Sequence, residues 1–425
     1  MSLKPVLGPV QLTFYAVGMI VGAGVYSVIG GAAGIAQDGL WLSFAIGALV
    51  ALLTGFSYAE MATAHPIAGA EYIYIRKAAP RADWAAFGVG TIILLGGGAT
   101  AATVAIGFGG YFRTFFDVPV GVSAFGLIAA CTALNIWGIR ESSWANMLFT
   151  LIEIGGLVLV IAAAVFAGTI AAPLAAPPGP GVMAAATILF FVFLGFEELA
   201  NVVEEARNPG RDIPRAIFSG LAITTVLYVL VALAIVGLAP PAELAASDAP
   251  LVTALAKVWP GASATLSAIA LFATANTVLI ALVATSRLAF SMGRDRELPE
   301  FFATVLAGRG TPWVGCMLAF ALSIVLLPIG DLTVLAGLSS FSALIAFLAV
   351  NATLIAMRYQ EPKLHRPFRV PLSVGRLPLL PVAAIASILL LLAFFEWEIY
   401  FGGAIGIALT AVAFLLQRWW ARKRK

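Results

Sequence analysis

The sequence predicts an all-α integral membrane protein of about 12 transmembrane helices. Ten of them form two five-helix repeats of inverted orientation, with helices 1 and 6 broken, and two more follow. Three observations predict this. The 425 residues are 61% hydrophobic and only 11% charged, with a mean hydropathy of +1.02, far more apolar than a soluble domain. The apolar runs are roughly 20 residues long, enough to cross about 30 Å of hydrocarbon as helix, and they lack the period-2 alternation of barrel strands. Two of the runs, five spans apart and entering from opposite sides, carry interruptions at matching mid-depth positions, as an inverted repeat would.

The spans fall near residues 9 to 34, 40 to 62, 84 to 111, 120 to 139, 144 to 169, 181 to 204, 214 to 238, 262 to 290, 312 to 330, 333 to 357, 377 to 395 and 399 to 418. Residues 1–170 make the first repeat, 171–358 the second, and 359–425 the last two spans with a basic tail. An even span count puts both termini on one side. Of the 24 basic residues, all but Arg113 and Lys257 fall on the side of Lys4, so both termini are expected in the cytoplasm and the membrane is expected to be the plasma (inner) membrane.

The net charge of +3 therefore reports topology, with lipid as the surrounding partner and no nucleic acid implied. Cys131 and Cys316 lie inside apolar spans and read as buried free thiols. The first apolar segment is too long for a signal-peptide core and lacks a cleavage site, so it is expected to remain in the membrane. The connections are too short to bury a soluble catalytic core.

Span 1 contains "GMIVGAGVYSVIGG", with Gly22, Gly24, Gly30 and Gly31 in the middle of a bilayer-crossing run. Small residues of this kind ordinarily serve close helix packing, as "LLGGGAT" in span 3 is expected to do. The matching stretch in span 6 has Gly195 followed by Glu197 and Glu198. An unwound turn at membrane depth is costly unless it lines a cavity where a ligand satisfies the freed backbone groups. A zwitterion would do so. Its carboxylate fits the N–H groups of Ala23, Gly24 and Val25, at the positive start of a half-helix. Its ammonium fits the carbonyls of Ile20 and Val21 with those of Phe191, Val192 and Leu194. The predicted ligand is a small molecule, an amino acid or a close relative. Phe191, Phe193 and Phe196 cannot all face one cavity at this spacing, and Phe191 with Leu194 make the better pair.

Four segments together resemble the amino acid/polyamine/organocation (APC) family of secondary transporters, and the likeness covers essentially the whole chain. They are "GMIVGAGVYSVIG", "FFVFLGFEELANVVEEARNPGRDIPRAI", "TSRLAFSMGRDRELPEFFATV" and "HRPFRVPL". The second is highly specific, with an acidic pair, Asn-Pro and Arg-Asp-Ile-Pro-Arg in order. The resemblance implies the leucine-transporter-type inverted-repeat fold, alternating access, and substrate held between the unwound parts of spans 1 and 6. Those parts correspond here to Gly22, Ala23 and Gly24, and to Phe191 through Gly195. It also implies a cytoplasmic helical segment in "PIAGAEYIYIRKAAPR".

Glu153 stands alone in span 5, where an ionisable group costs ~2.5 to 3.5 kcal/mol to insert and so should face the interior. Three readings stand: a structural Glu hydrogen-bonded to a neighbour, a proton carrier, or a cation ligand acting with hydroxyls such as Thr285 and Ser286 of span 8. Many members that this chain resembles have lysine near this position, so the departure bears on coupling. The coupling ion is expected to be H+ or Na+, with no organic cofactor. Glu197 is expected to cap the inner half-helix, with Glu198 beside it on a different face. Glu204, Glu205, Arg207, Arg211 and Arg215 are expected at the cytoplasmic surface, as ion pairs, gate contacts or a solvated face.

An enzyme is not expected, because His65 and His365 both lie in connections and no span carries carboxylates at metal-ligand spacing. Nor is a repeated filter ring of the channel kind visible. Spans 3 and 8 offer no carboxylate for a cationic side chain, which favours a neutral amino acid over a cationic amino acid or polyamine; the expected function is proton-coupled uptake, with an amino acid exchanger as the alternative.

Overall fold

The computed structural model describes residues 7–66, 70–78, 83–138, 143–175, 178–307 and 309–423. Its helices are α1 (Pro9–Val21), α2 (Gly24–Ala36), α3 (Leu40–Ala64), α4 (Ala70–Ala78), α5 (Asp83–Phe112), α6 (Val120–Trp137), α7 (Ser143–Phe166) and α8 (Val182–Leu189). They continue with α9 (Pro209–Leu238), α10 (Pro241–Ala245), α11 (Pro250–Ala256), α12 (Ser263–Arg294), α13 (Trp313–Leu326), α14 (Leu332–Gln360), α15 (Leu379–Leu392) and α16 (Trp397–Lys423). Among the described residues the one sheet is a hairpin of β1 (Ser373–Val374) and β2 (Leu377–Pro378) ahead of α15.

Each of the twelve expected spans is a helix or an interrupted helix. Span 1 is α1 and α2, separated at Gly22 and Ala23, and span 6 is α8 followed by 3-10 turns at Phe190–Phe193 and Phe196–Ala200. Eight segments among the described residues are long and apolar enough to cross a bilayer by themselves, with α2 and α3 forming one continuous segment. Both α1 and α13 are shorter, and α15 meets α16 at a bend of 115°. The helical connection expected after span 2 is α4, whose flanking residues 67–69 and 79–82 lie outside the described residues.

Lipid tails give helices no hydrophobic reason to associate, so close approach must come from small residues and buried polar contacts. The run Gly96, Gly97, Gly98 of α5 shows how. A Cβ on Gly96 would stand 2.8 Å from Ser342 of α14, one on Gly97 3.3 Å from Thr285 Cβ of α12, and one on Gly98 2.7 Å from Leu322 of α13. Three consecutive residues thus admit three different helices. Gly30 and Gly34 of α2 play the same packing part toward Pro250 and Ala245, in the short helices that follow α9. Cys131 and Cys316 are free and buried.

Polar contacts fasten α3 to α14. Ser57 Oγ donates to Asn351 Oδ1 at 2.6 Å, and Asn351 Nδ2 donates to Phe347 O at 2.8 Å and Thr54 Oγ1 at 3.3 Å. One turn beyond Ser57, fully buried Glu60 receives Arg358 Nε at 2.9 Å, Arg358 Nη2, and the Val370 N–H at 2.7 Å, with Arg366 Nε 3.1 Å away. One carboxylate therefore joins α3, the end of α14 and the strand-like segment before the hairpin. Arg358→Ala should lower stability by about 3 kcal/mol, the low end for breaking a buried pair because Arg366 and Val370 N–H remain. Thermal unfolding of the detergent-solubilised protein checks this, and a variant that melts with the parent would show the cluster to be energetically idle.

Candidate functional site

Both interruptions lie where the sequence places them, and they touch each other. α1 stops at Val21 and α2 starts at Gly24. A Cβ on Gly24 would be 3.3 Å from Phe191 Cε1 and from Val192 Cα. In span 6, Leu194 is extended (ψ 143°) and Gly195 has φ +122°, a conformation that favours glycine. A Cβ there would lie 2.7 Å from the carbonyl carbon of Met19 and 3.1 Å from Ile20 N. The break of each span is thus packed on the backbone of the other.

The freed backbone groups have identifiable partners. The Ala23 N–H donates to Thr277 Oγ1 of α12 at 2.8 Å. Tyr228 Oη of α9 donates to Ile20 O at 2.7 Å and stands 3.3 Å from Val192 O, so one hydroxyl spans both breaks. The Gly195 N–H donates to Glu197 Oε2 at 2.9 Å. The first N–H of the new helix to return to backbone is that of Ser27, to Ala23 O at 3.1 Å. Gly24 and Val25 N–H therefore precede the intrahelical ladder of α2. Of the three donors expected to face an anion, Ala23 is committed to Thr277.

The aromatic side chains divide. Phe193 packs on Phe44 and Tyr228, with ring centroids 6.5 and 5.5 Å away, and Phe196 packs on Tyr58 and Phe347 at 5.6 and 5.4 Å. Both belong to the aromatic core. Phe191 lies beside Gly24, and Leu194 is half-buried. Val21, Gly22 and Val192 are buried with them.

Glu153 is 1% exposed on α7. Asn276 Nδ2 of α12 donates to its Oε1 at 3.4 Å, and Tyr26 Oη of α2 donates to its backbone carbonyl at 2.7 Å. The adjacent residue, Thr277, is the one that holds Ala23, so α12 links the lone carboxylate to the first break. Thr285 and Ser286 are about two turns and a half further along α12. There Thr285 Oγ1 donates to Ala281 O at 2.7 Å, Ser286 Oγ donates to Val283 O at 2.8 Å, and Asn135 Nδ2 donates to Ser286 Oγ at 3.4 Å. They are not assembled with Glu153. Sequence reading missed Asn276, Thr277, Tyr26 and Tyr228, although each is a polar group deep in an apolar span, the same signal that picked out Glu153.

Toward the other end of span 6, Asn201 Nδ2 donates to Glu198 Oε2 at 2.8 Å. Glu71 of α4 accepts from Tyr58 Oη at 2.6 Å. Of the readings open for Arg207, Arg211 and Arg215, ion pairs are not seen among the described residues, and all three residues are exposed. The segment is pinned by its backbone instead, with Leu7 N–H donating to Glu205 O at 2.9 Å and Arg207 N–H to Leu7 O at 3.0 Å.

A family model described as amino acid permease matches residues 7–414. The chain is 30% identical over 422 residues to the branched-chain amino acid permease BcaP of Bacillus subtilis (strain 168), covering 93% of this chain and 89% of that protein. It is 30% identical to the methylthioribose transporter of the same organism, over 90% and 86% of the two chains. It is 29% identical to cationic amino acid transporter 3, mitochondrial, of Arabidopsis thaliana, over 84% of this chain and 62% of that protein.

Two predictions follow from the geometry. Gly195→Ala places a methyl against Met19 at a backbone angle that suits only glycine, and should lower the unfolding temperature of the detergent-solubilised protein; a variant that melts with the parent would refute the reciprocal contact. Burial raises the Glu71 carboxyl from about 4.5 to about 7, with the Tyr58 hydrogen bond partly opposing it and Glu198 adding to it. The folded state therefore holds a proton the unfolded state has lost, so this contribution to stability falls as pH rises from about 4.5 through about 7 and is flat above. In Glu71→Gln that slope of the unfolding temperature against pH should disappear.

Proposed function

Since this chain belongs to the amino acid permease family, as a multi-pass membrane transporter and not an enzyme, we propose that it takes up a neutral amino acid by alternating access, coupled to protons. The observation that carries this reading is the pair of reciprocal breaks. Gly24 and Val25 N–H start a half-helix and suit a carboxylate. The carbonyls of Ile20, Val21, Phe191, Val192 and Leu194 retain acceptor capacity for an ammonium beyond the Tyr228 hydroxyl at Ile20 and Val192 and the Leu194 N–H at Phe191. Phe191 and Leu194 form the apolar wall. The two breaks lie five spans apart, which supports treating residues 1–170 and 171–358 as inverted repeats that rock about the site. Both termini and the basic connections face the cytoplasm, and the host is the plasma membrane.

A neutral substrate is favoured because no acidic side chain occurs in the membrane-spanning parts of α5 or α12. The relative named for branched-chain amino acids points the same way. A cationic substrate is the second reading, favoured by the relative named for cationic amino acids and by buried Glu153.

Glu153 is the proposed proton carrier. Asn276 is its one side-chain partner among the described residues, and Asn276 sits next to the threonine that holds the first break, so protonation reaches the site through one turn of α12. In proteoliposomes offered labelled amino acids and polyamines, an inward proton gradient should accumulate a neutral amino acid. Glu153→Gln should lose at least tenfold of that accumulation while binding is kept. A variant that concentrates substrate normally removes Glu153 from coupling, uptake seen only against preloaded substrate makes the protein an exchanger, and uptake of polyamines alone rejects the neutral pocket.

A further inference from the structure

The deep parts of α1 and α9 are in close contact. A Cβ on Gly220 would lie 2.7 Å from Ala16 Cβ, and Tyr228 is bonded to Ile20. One to two turns nearer the chain ends the helices part, leaving a cleft of about 540 Å3 whose walls include Val10, Phe14 and Phe218. The floor is satisfied, with Thr13 Oγ1 and Ser219 Oγ 3.2 Å apart. The cleft opens outward, since Val10 is 64% exposed. Arg215 stands on its lining at the rim, and exposed Arg211 is one turn away on the same helix face. Neither guanidinium has an ion pair or hydrogen bond among the described residues.

We propose that this cleft binds an anionic phospholipid of the cytoplasmic leaflet, with the phosphate on Arg215 and one acyl chain along Val10, Phe14 and Phe218. An apolar slot alone would accept any chain. What selects the headgroup is charge: a planar guanidinium offers two parallel N–H donors to phosphate oxygens, and a second cation one turn away adds to the local positive field. Asp212, the carboxylate nearest to both in sequence, is buried and makes no ion pair with either guanidinium, so both remain available to an anion. The occupant also has a mechanical position. It lies where α1, the half-helix that ends at the substrate site, separates from α9, and so it sets how far α1 can swing. That consequence rests on the orientation and alternating access proposed above, whereas retention of the lipid does not.

The full chain, reconstituted into vesicles of phosphatidylethanolamine and phosphatidylglycerol in equal parts and re-extracted into mild detergent, is examined by native mass spectrometry for retained lipid. The parent should retain phosphatidylglycerol in preference to phosphatidylethanolamine. Arg215→Gln should reduce that retention about fivefold, the worth of one arginine at an anionic surface, and Arg215→Lys should keep most of it. Val10→Trp, at an exposed position that leaves the fold alone, should displace the acyl chain. Equal retention of both lipids by the parent overturns the proposal, and so does undiminished phosphatidylglycerol in both Arg215→Gln and Val10→Trp. Uptake by the same vesicles separates the two readings. Selective lipid retention without amino acid uptake counts against the transport reading and supports the site, and uptake without lipid selectivity does the reverse.

Discussion

A backbone N–H or C=O freed inside a bilayer has no water to turn to, and leaving it unpaired costs several kcal/mol. Spans 1 and 6 both break at membrane depth, so the surrounding helices must answer for them. Three side chains from three places do so: Thr277 of α12 at Ala23, Tyr228 of α9 at Ile20 and Val192, and Glu197 within span 6 at Gly195. The positions of α9 and α12 relative to the breaks are thereby fixed. The packing glycines of α5 then let that helix meet α12, α13 and α14, so the fold reads outward from the two interruptions.

These partners are also incomplete in a useful way. A hydroxyl donates one hydrogen, so Tyr228 can quiet two carbonyls without exhausting them. Glu197 answers one N–H, and Gly24 and Val25 precede the helical ladder of α2. What remains is an unequal pair of ends, donors on one side and acceptors on the other, held in register by a tight contact at Gly24 and by a contact at Gly195 that leaves no room for a side chain. Under the proposed function, such a site is specified by backbone and would take the part that all α-amino acids share.

Much of this was legible in the sequence. Span lengths, the location of both interruptions, the burial of Glu153 and the packing use of the α5 glycines all follow from apolar run length and from residues that are costly at depth. What the sequence could not reveal was which helix turns toward which. Thr285 and Ser286 are as able as Thr277 and Asn276 to hydrogen-bond a carboxylate or a backbone group, and only the rotation and depth of α12 decide which pair meets Glu153 and Ala23. Likewise Phe191, Phe193 and Phe196 are equivalent by composition. The 3-10 turns of span 6 separate them, sending Phe193 and Phe196 into aromatic packing and leaving Phe191 at the break.

Glu60 has a consequence in time as well as in space. Its partners Arg358 and Val370 lie 298 and 310 residues later in the chain. Chains are made from the N-terminus, so α3 enters the membrane with a carboxylate whose binding pocket has not yet been synthesised. Until residues 358 and 370 are made, that carboxylate lacks both of these partners. It can be drawn inside only when the segment before the last two helices arrives to enclose it. The enclosure of Glu60 is therefore a late event of biogenesis, and a chain truncated before residue 370 would carry both interrupted spans with α9 and α12 while leaving Glu60 short of its backbone anchor.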